Sequence, residues 1–383
     1  MPRIPEKIRT TLEKIVKEMR TKENVYGIGL FGSWSRGDAS PTSDIDLLIF
    51  DVGDFGYEYV ERFETAGLLL DLDRVPKKWI QGPIPPEMDQ KIYEMQILYD
   101  RDWSMANTKL LMTRSYGSPE RVDIRTEAHI IDSDIYLSRA TSAFSRADFA
   151  SAHLFATAAL EDILKVLIEV AMKPFSNSHF IETLEISATK LERRELFDEY
   201  LEVTGLDKVD AEDVKGNLQL FKIVWDEING AVDDDPRMLE SAHFRVKTAL
   251  KYYLNPAFLR GAIIRASAMF DSGRLVETSH YLRNILLSIL ENYVWLKTSK
   301  DRLAIDYTTL LRSFESLEAN NPKNRRDVIE FLGLNGIDKT ASSKTIEKTR
   351  EIMLAIRRQR KVLIKNNLCK NSSVHSNARS PVV

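Results

Sequence analysis

The sequence predicts an α+β domain, a mixed sheet with flanking helices, over residues 1–103. An all-α helical bundle over 104–366 and a disordered tail over 367–383 follow it. Three observations predict this. Strand-length apolar runs, bounded by Gly, Pro and Asp, fill the first hundred residues. From Trp103 onward, apolar residues recur at spacings of three and four almost without interruption. At 383 residues the chain is too long for one typical core, so two domains are the natural expectation.

Taken in order, an amphipathic helix over about Pro5–Arg20 leads to a strand over Tyr26–Phe31 and a tight turn over Gly32–Gly37. A second strand spans Ile45–Phe50, and a short helical segment is expected near Tyr57–Phe63. The third strand, Leu68–Asp73, ends at Pro76; Gly82–Pro86 forms a rigid turn; a short helix and a strand over Met95–Tyr99 close the domain. Helical periodicity then runs through 134–171, 214–231, 274–297 and 343–364, with no convincing strand. Turns fall at Gly117-Ser118-Pro119, Lys173-Pro174, Gly205, Gly230 with Asp233–Pro236, Asn255-Pro256 and Asn320–Pro322. Arg139–Phe144 and Arg265–Phe270 are weakly alike, and each precedes a turn, at Ala147 and Gly273, and a long apolar helix; two related hairpins or chance similarity explain this equally well. The tail, rich in Asn and Ser, lacks the apolar content to order itself.

Composition narrows the function. A hydrophobic fraction of 43% and a charged fraction of 29% are ordinary for a globular chain. A net charge of −3 argues against a wholesale nucleic-acid coat but allows a local basic groove. The single cysteine, Cys369, excludes intramolecular disulfides and multi-thiolate zinc. The six histidines show no ligand spacing. No apolar run approaches the ~20 residues that span a bilayer, and the N-terminus is charged throughout, so a cytoplasmic protein is expected.

The chemistry sits in two runs, Gly32-Ser33-Trp34-Ser35-Arg36-Gly37 and Ser43-Asp44-Ile45-Asp46-Leu47. Gly32 lets the backbone turn sharply at a strand end, Ser33 offers a hydroxyl and an amide, and Arg36 adds a forked cation, a set suited to a triphosphate. Asp44 and Asp46, two residues apart, emerge on one face while Ile45 and Leu47 face the core. Two hard oxygen ligands on one face suit magnesium.

Together the runs resemble the signature of the DNA polymerase β-like nucleotidyltransferase superfamily, Gly-Ser-x-x-Arg-Gly and then Ser-Asp-x-Asp, met by Gly32, Ser33, Arg36, Gly37, Ser43, Asp44 and Asp46. Ser35 stands where a small alanine is common. The resemblance covers about the first hundred residues and is of the minimal, kanamycin nucleotidyltransferase-like type. It implies a nucleoside triphosphate substrate, two Mg2+ ions, nucleotide contacts from Gly32, Ser33, Arg36 and Ser43, and transfer of a nucleoside monophosphate with release of pyrophosphate. It also implies a third carboxylate flanked by apolar residues on a neighbouring strand, which describes Asp71 better than Asp73. Asp71 would complete the metal site and draw the acceptor proton. Asp73 reads as a solvated strand end or an ion-pair partner of Arg74.

The acceptor is open: a small-molecule hydroxyl or a protein side chain is favoured, an RNA end is the alternative, and a non-catalytic nucleotide-sensing or regulatory partner protein of the HEPN-associated type is a further rival. The first helical hairpin loosely resembles domains of kanamycin nucleotidyltransferase-like proteins and of the HEPN group. In the former a helical-domain glutamate acts as base; Glu161 and Asp162 are candidates here, against a solvated or capping role. Arg274 to His280 and Arg146 to His153 fit the loose HEPN ribonuclease spacing, which chance also supplies. The basic helix Lys344–Lys365 is read as a bundle helix whose charge adds to the cleft, ahead of dedicated nucleic-acid binding.

Overall fold

One mixed sheet organises the N-terminal part of the computed structural model, which describes residues 4–300, 308–318 and 322–376. Helix α1 (Glu6–Met19) leads into β1 (Val25–Phe31), the short α2 (Gly32–Arg36), β2 (Ile45–Asp51), β3 (Tyr59–Thr65), β4 (Leu68–Pro76), α3 (Asp89–Glu94) and β5 (Gln96–Asp100). The strand order is β3-β4-β2-β1-β5, with β2 and β4 parallel and the other neighbours antiparallel. The alternate face of β1, β2 and β4 buries Ile28, Leu30, Ile45, Leu47, Leu70 and Leu72 against Ile8, Leu12 and Ile15 of α1. Burial of that face at about 25 cal/mol per Å2 drives the sheet together, and the opposite face carries Asp46, Asp71 and Asp73 beside the buried Leu48, Phe50 and Val75.

Two elements of the sheet domain differ in type from their expectation, and the first is the turn over Gly32–Gly37, which holds the short helix α2. The segment near Tyr57–Phe63 is not helical; it is the edge strand β3. Ala66 and Gly67 both have positive φ, 52° and 72°, the sense that closes a two-residue hairpin between β3 and β4. The charges of Glu61, Arg62 and Glu64 blunt a sheet edge, and they dilute the period-two signal that would have announced a strand.

Past β5 the described residues are helical: α4 (Ser104–Ser115), α5 (Pro119–Ser145), α6 (Phe149–Val170), α7 (Phe180–Lys190), α8 (Arg194–Thr204), α9 (Ala211–Asp233), α10 (Pro236–Ser241), α11 (Phe244–Tyr253), α12 (Pro256–Asp271), α13 (Leu275–Lys300), α14 (Leu311–Leu317), α15 (Pro322–Phe331) and α16 (Lys339–Ser376). Ser118 and Asn255 cap α5 and α12, each followed by Pro at the first helical position. Gly230 lies inside α9, so that break comes only at Asp234-Asp235-Pro236. Ala147 and Gly273 both turn the chain at positive φ. Residues 367–376 of the expected disordered tail instead continue helix α16, while residues 377–383, and Asn320 and Asn321 of the last expected turn, lie outside the described residues. No helix among the described residues is long and apolar enough to cross a membrane.

The chain divides into two compact units. The first gathers Met1–Tyr116, Phe221–Gly273 and Asn284–Leu303, so that α11 and α12 pack on β3 of the sheet. The second gathers Gly117–Leu220, Arg274–Arg283 and Ala304–Val383, with α5, α6 and α16 packed around Leu160, Leu164, Leu167, Ile352 and Ile356.

Candidate functional site

The turn after β1 is built around a residue that sequence reasoning missed. Gly32, at φ 70°, donates its amide to Glu94 Oε1 at 2.8 Å, and Arg36 Nη1 grips both Glu94 oxygens at 2.9 and 3.0 Å. Ser35 Oγ donates to the Glu94 carbonyl at 2.5 Å, which gives that hydroxyl a use in place of the common alanine. Glu94 thus ties the turn to the end of α3. Its only sequence signal was a carboxylate just before the closing strand. Ser33 Oγ makes no hydrogen bond among the described residues, and Ser43 Oγ accepts from the Ser40 amide at 2.9 Å, closing the loop that returns to β2.

The strands set the acids. Parallel pairing aligns Asp46 of β2 with Asp71 of β4, while Asp44 stands just before β2 on the same face. One oxygen from each of Asp44, Asp46 and Asp71 lies within 4.8 Å of the others. Gly32 makes this possible: a Cβ there would come 2.4 Å from Asp46 Oδ2. Two arginines enter the cluster. Arg62 Nε donates to Asp71 Oδ1 at 2.5 Å, its Nη2 also bonds Asp44, and Arg265 Nη2 of α12 meets Asp44 Oδ1 at 2.5 Å. Tyr252 of α11 donates its hydroxyl to Asp71 Oδ2 at 3.1 Å. Neither arginine nor Tyr252 carries a sequence signal.

These neighbours divide the acids electrostatically. Burial raises the Asp44 pKa, but the charges of Arg265 and Arg62 outweigh it and hold the group at about 2. Asp46 makes no hydrogen bond or ion pair among the described residues; desolvation and the charges of Asp44 and Asp71 push it well above the ordinary range. Burial also raises Asp71, against the pull of Arg62. Three carboxylates, one uncompensated and facing a glycine cradle, form a donor set that fits a hard divalent cation.

Asp73 corrects an expectation: it is neither a solvated strand end nor a partner of Arg74. It is 2% exposed and meets Lys91 Nζ at 2.5 Å, with Glu58 on the same ammonium. Arg74 pairs instead with Asp51 at 2.7 Å and Glu61 at 2.6 Å. Burial lifts Asp73 to about 8 despite Lys91, and Glu58 adds to the rise. The native state therefore holds a proton there that the unfolded chain releases near pH 4, so stability falls as pH rises towards 8. Asp73→Asn is expected to leave the melting temperature near pH 5 almost unchanged and to raise it at pH 8.5, removing a slope of about 1 kcal/mol per pH unit. Parallel melting curves for the two proteins across that range would refute the assignment.

In the helical unit, Glu161 is a bundle residue. Its Oε2 accepts from Tyr200 at 3.3 Å and pairs with His280 Nε2 at 2.9 Å, and Lys165 lies 3.5 Å from Oε1. Asp162 pairs with Lys165 at 2.7 Å. His280 is 3% exposed and stacks on Phe180 at 4.7 Å, and Arg274 turns to His179, so the Arg274 to His280 spacing yields a packed histidine. His153 is likewise packed, and burial lowers it to about 4. Cations of α16 are tied to neighbouring helices, Lys348 to Glu199, Arg357 to Asp134, and Arg360 to Asp123 and Glu127.

Comparison with known proteins agrees with this geometry. The family model described as Nucleotidyltransferase domain matches residues 12–94, which hold the turn, all three acids and Glu94. A relative from Methanocaldococcus jannaschii, named Putative protein adenylyltransferase MJ1379, is 37% identical over 81 residues, 20% of this chain and 81% of that protein. A solved nucleotidyltransferase-like protein from Exiguobacterium sibiricum 255-15 aligns with 86% of this chain and 92% of its own at 12% identity, with a TM-score of 0.32. Because the match runs through the strands and turn that assemble the acidic cluster, and spans four-fifths of a relative, the chain is a nucleotidyltransferase of the DNA polymerase β-like superfamily.

Proposed function

We propose that this nucleotidyltransferase moves a nucleoside monophosphate, AMP by preference, from a nucleoside triphosphate to a protein side chain, with release of pyrophosphate. The observation that carries the reading is the acidic cluster, whose three carboxylate oxygens lie within 4.8 Å of one another, with Asp46 packed against Gly32 of the turn. The protein acceptor and the adenine preference rest on the name of the archaeal relative. Asp44 and Asp46 would hold magnesium, with Asp71 completing the acidic face. A bound divalent ion would neutralise charge that builds on the phosphates as the α–β bond breaks.

The chain's own residues do the positioning. Ser33, with its hydroxyl unengaged, and the amides of the turn receive the phosphates, while Arg36 and Glu94 fix the turn's shape, and Ser43 holds the loop that delivers Asp44. An acceptor oxygen in line with the leaving pyrophosphate then displaces it from the α-phosphorus. The test is incubation of the purified protein and a cell extract with magnesium and each of the four α-labelled triphosphates. Label from ATP is expected on a protein band, with pyrophosphate released in step. Label on a small molecule or an RNA end would move the acceptor to that class, and no pyrophosphate from any triphosphate would refute transfer.

A further inference from the structure

Arg62 places its guanidinium inside the acidic cluster, and the surroundings fix it there. On the edge strand β3 it stands opposite Asp71 of β4, and its side chain is 2% exposed. Its Nε and Nη2 fork onto the two oxygens of Asp71, and Nη2 also reaches Asp44 Oδ2, so one planar cation joins two of the three carboxylates. Behind it, the rings of Tyr252 and Phe258 lie 5.3 and 5.2 Å from Cζ, and Asn255 Nδ2 donates to the Arg62 carbonyl at 2.9 Å. Helix α12 comes so close that a Cβ on Gly261 would lie 3.0 Å from Arg62 Nη1 and 2.8 Å from Leu69 Cδ1. Arg265 differs: its side chain is 19% exposed, and it meets Asp44 from the rim through Oδ1.

Three carboxylates against two guanidiniums, Arg62 inside and Arg265 at the rim, leave one negative charge, too little to balance two divalent ions. We propose that Arg62 is a resident counter-cation that takes the place of a second metal. The site then holds one divalent ion on Asp44 and Asp46, and Asp71 is a positioning residue that anchors Arg62 rather than a metal ligand. This rests on reading the cluster as the metal site of a nucleotidyltransferase.

The test is titration of the full-length protein with Mn2+ alone, counting bound ions from the loss of the free-ion EPR signal. The wild type is expected to bind one Mn2+ per chain, Asp46→Asn none, and Asp71→Asn still one. Arg62→Gln is expected to gain a second ion, which the Arg62→Gln/Asp71→Asn double variant loses again. Two ions on the wild type, loss of the single ion in Asp71→Asn, or an unchanged count in folded Arg62→Gln would each overturn the proposal. If Arg62→Gln does not fold, the wild-type and Asp71→Asn counts decide it. Absence of Mn2+ from both wild type and Arg62→Gln would instead bring down the underlying metal-site reading.

Discussion

Asp44→Asn and Asp46→Asn are each expected to reduce nucleotidyl transfer at least about a thousandfold, yet to move the melting temperature of the metal-free protein in opposite directions. Both acids occupy the same face, but only Asp44 meets cations, Arg62 and Arg265. Its pKa is held at about 2, below the unfolded value near 3.9, so its stabilisation is fully present above pH 4 and is lost as pH falls through 2. Removing the charge strips two arginines of a partner. Because Arg62 keeps Asp71, the cost is expected at about 1–3 kcal/mol, below that of a fully broken buried pair. Asp46 has the opposite sign. Its raised pKa means that deprotonation destabilises the fold as pH climbs above the unfolded value, so the neutral amide is expected to raise the melting temperature at pH 7.5. Metal binding should likewise release a proton from Asp46 and tighten with pH. Melting curves in chelator at pH 7.5 decide the matter: shifts of the same sign in both variants would show that the arginines do not divide the pair.

Gly32→Ala is expected to cost at least about a hundredfold in activity and about 2–4 kcal/mol in stability. Two effects combine. At φ 70° any L side chain is strained by about 1 kcal/mol, and here the added methyl would also come 2.4 Å from Asp46 Oδ2. Either β2 or the turn must move, and both carry the site. Gly273→Ala separates the two effects, since that glycine has a similar φ of 76° with open space around it. It is expected to lose only the backbone part, about 1 kcal/mol, with activity intact. Equal losses in the two variants would show that the approach to Asp46 is unimportant.

What the sequence revealed followed from proximity along the chain. The Gly-Ser turn and the Asp-x-Asp pair lie within one strand–turn–strand, where a two-residue repeat and a glycine at a strand end determine side-chain direction whatever the rest of the protein does. Asp44 and Asp46 were legible for that reason, as were β1, β2, β4 and the long helices, whereas Asp71 came only from the third acid that the resemblance implies. Residues brought in by tertiary packing were not. Arg62 lay on a strand whose charged edge hid its period, while Arg265 and Tyr252 sit on helices whose spacing gave only an apolar stripe. Asp73 looked like a strand end because Arg74 followed it, but strand alternation sends neighbours to opposite faces, so Asp73 met Lys91 while Arg74 met Asp51.

The sheet that carries the acids ends at Asp100, yet Tyr252 and Arg265, which pack onto it, come far later in the chain. At about 5–20 residues per second, a ribosome needs roughly ten to thirty seconds to pass from one to the other. Throughout that interval the nascent sheet presents Asp44 without its rim arginine and Asp71 without its tyrosine. The newborn site is thus more acidic and more open than the finished one, and a divalent ion would meet less competition there during synthesis than in the mature enzyme.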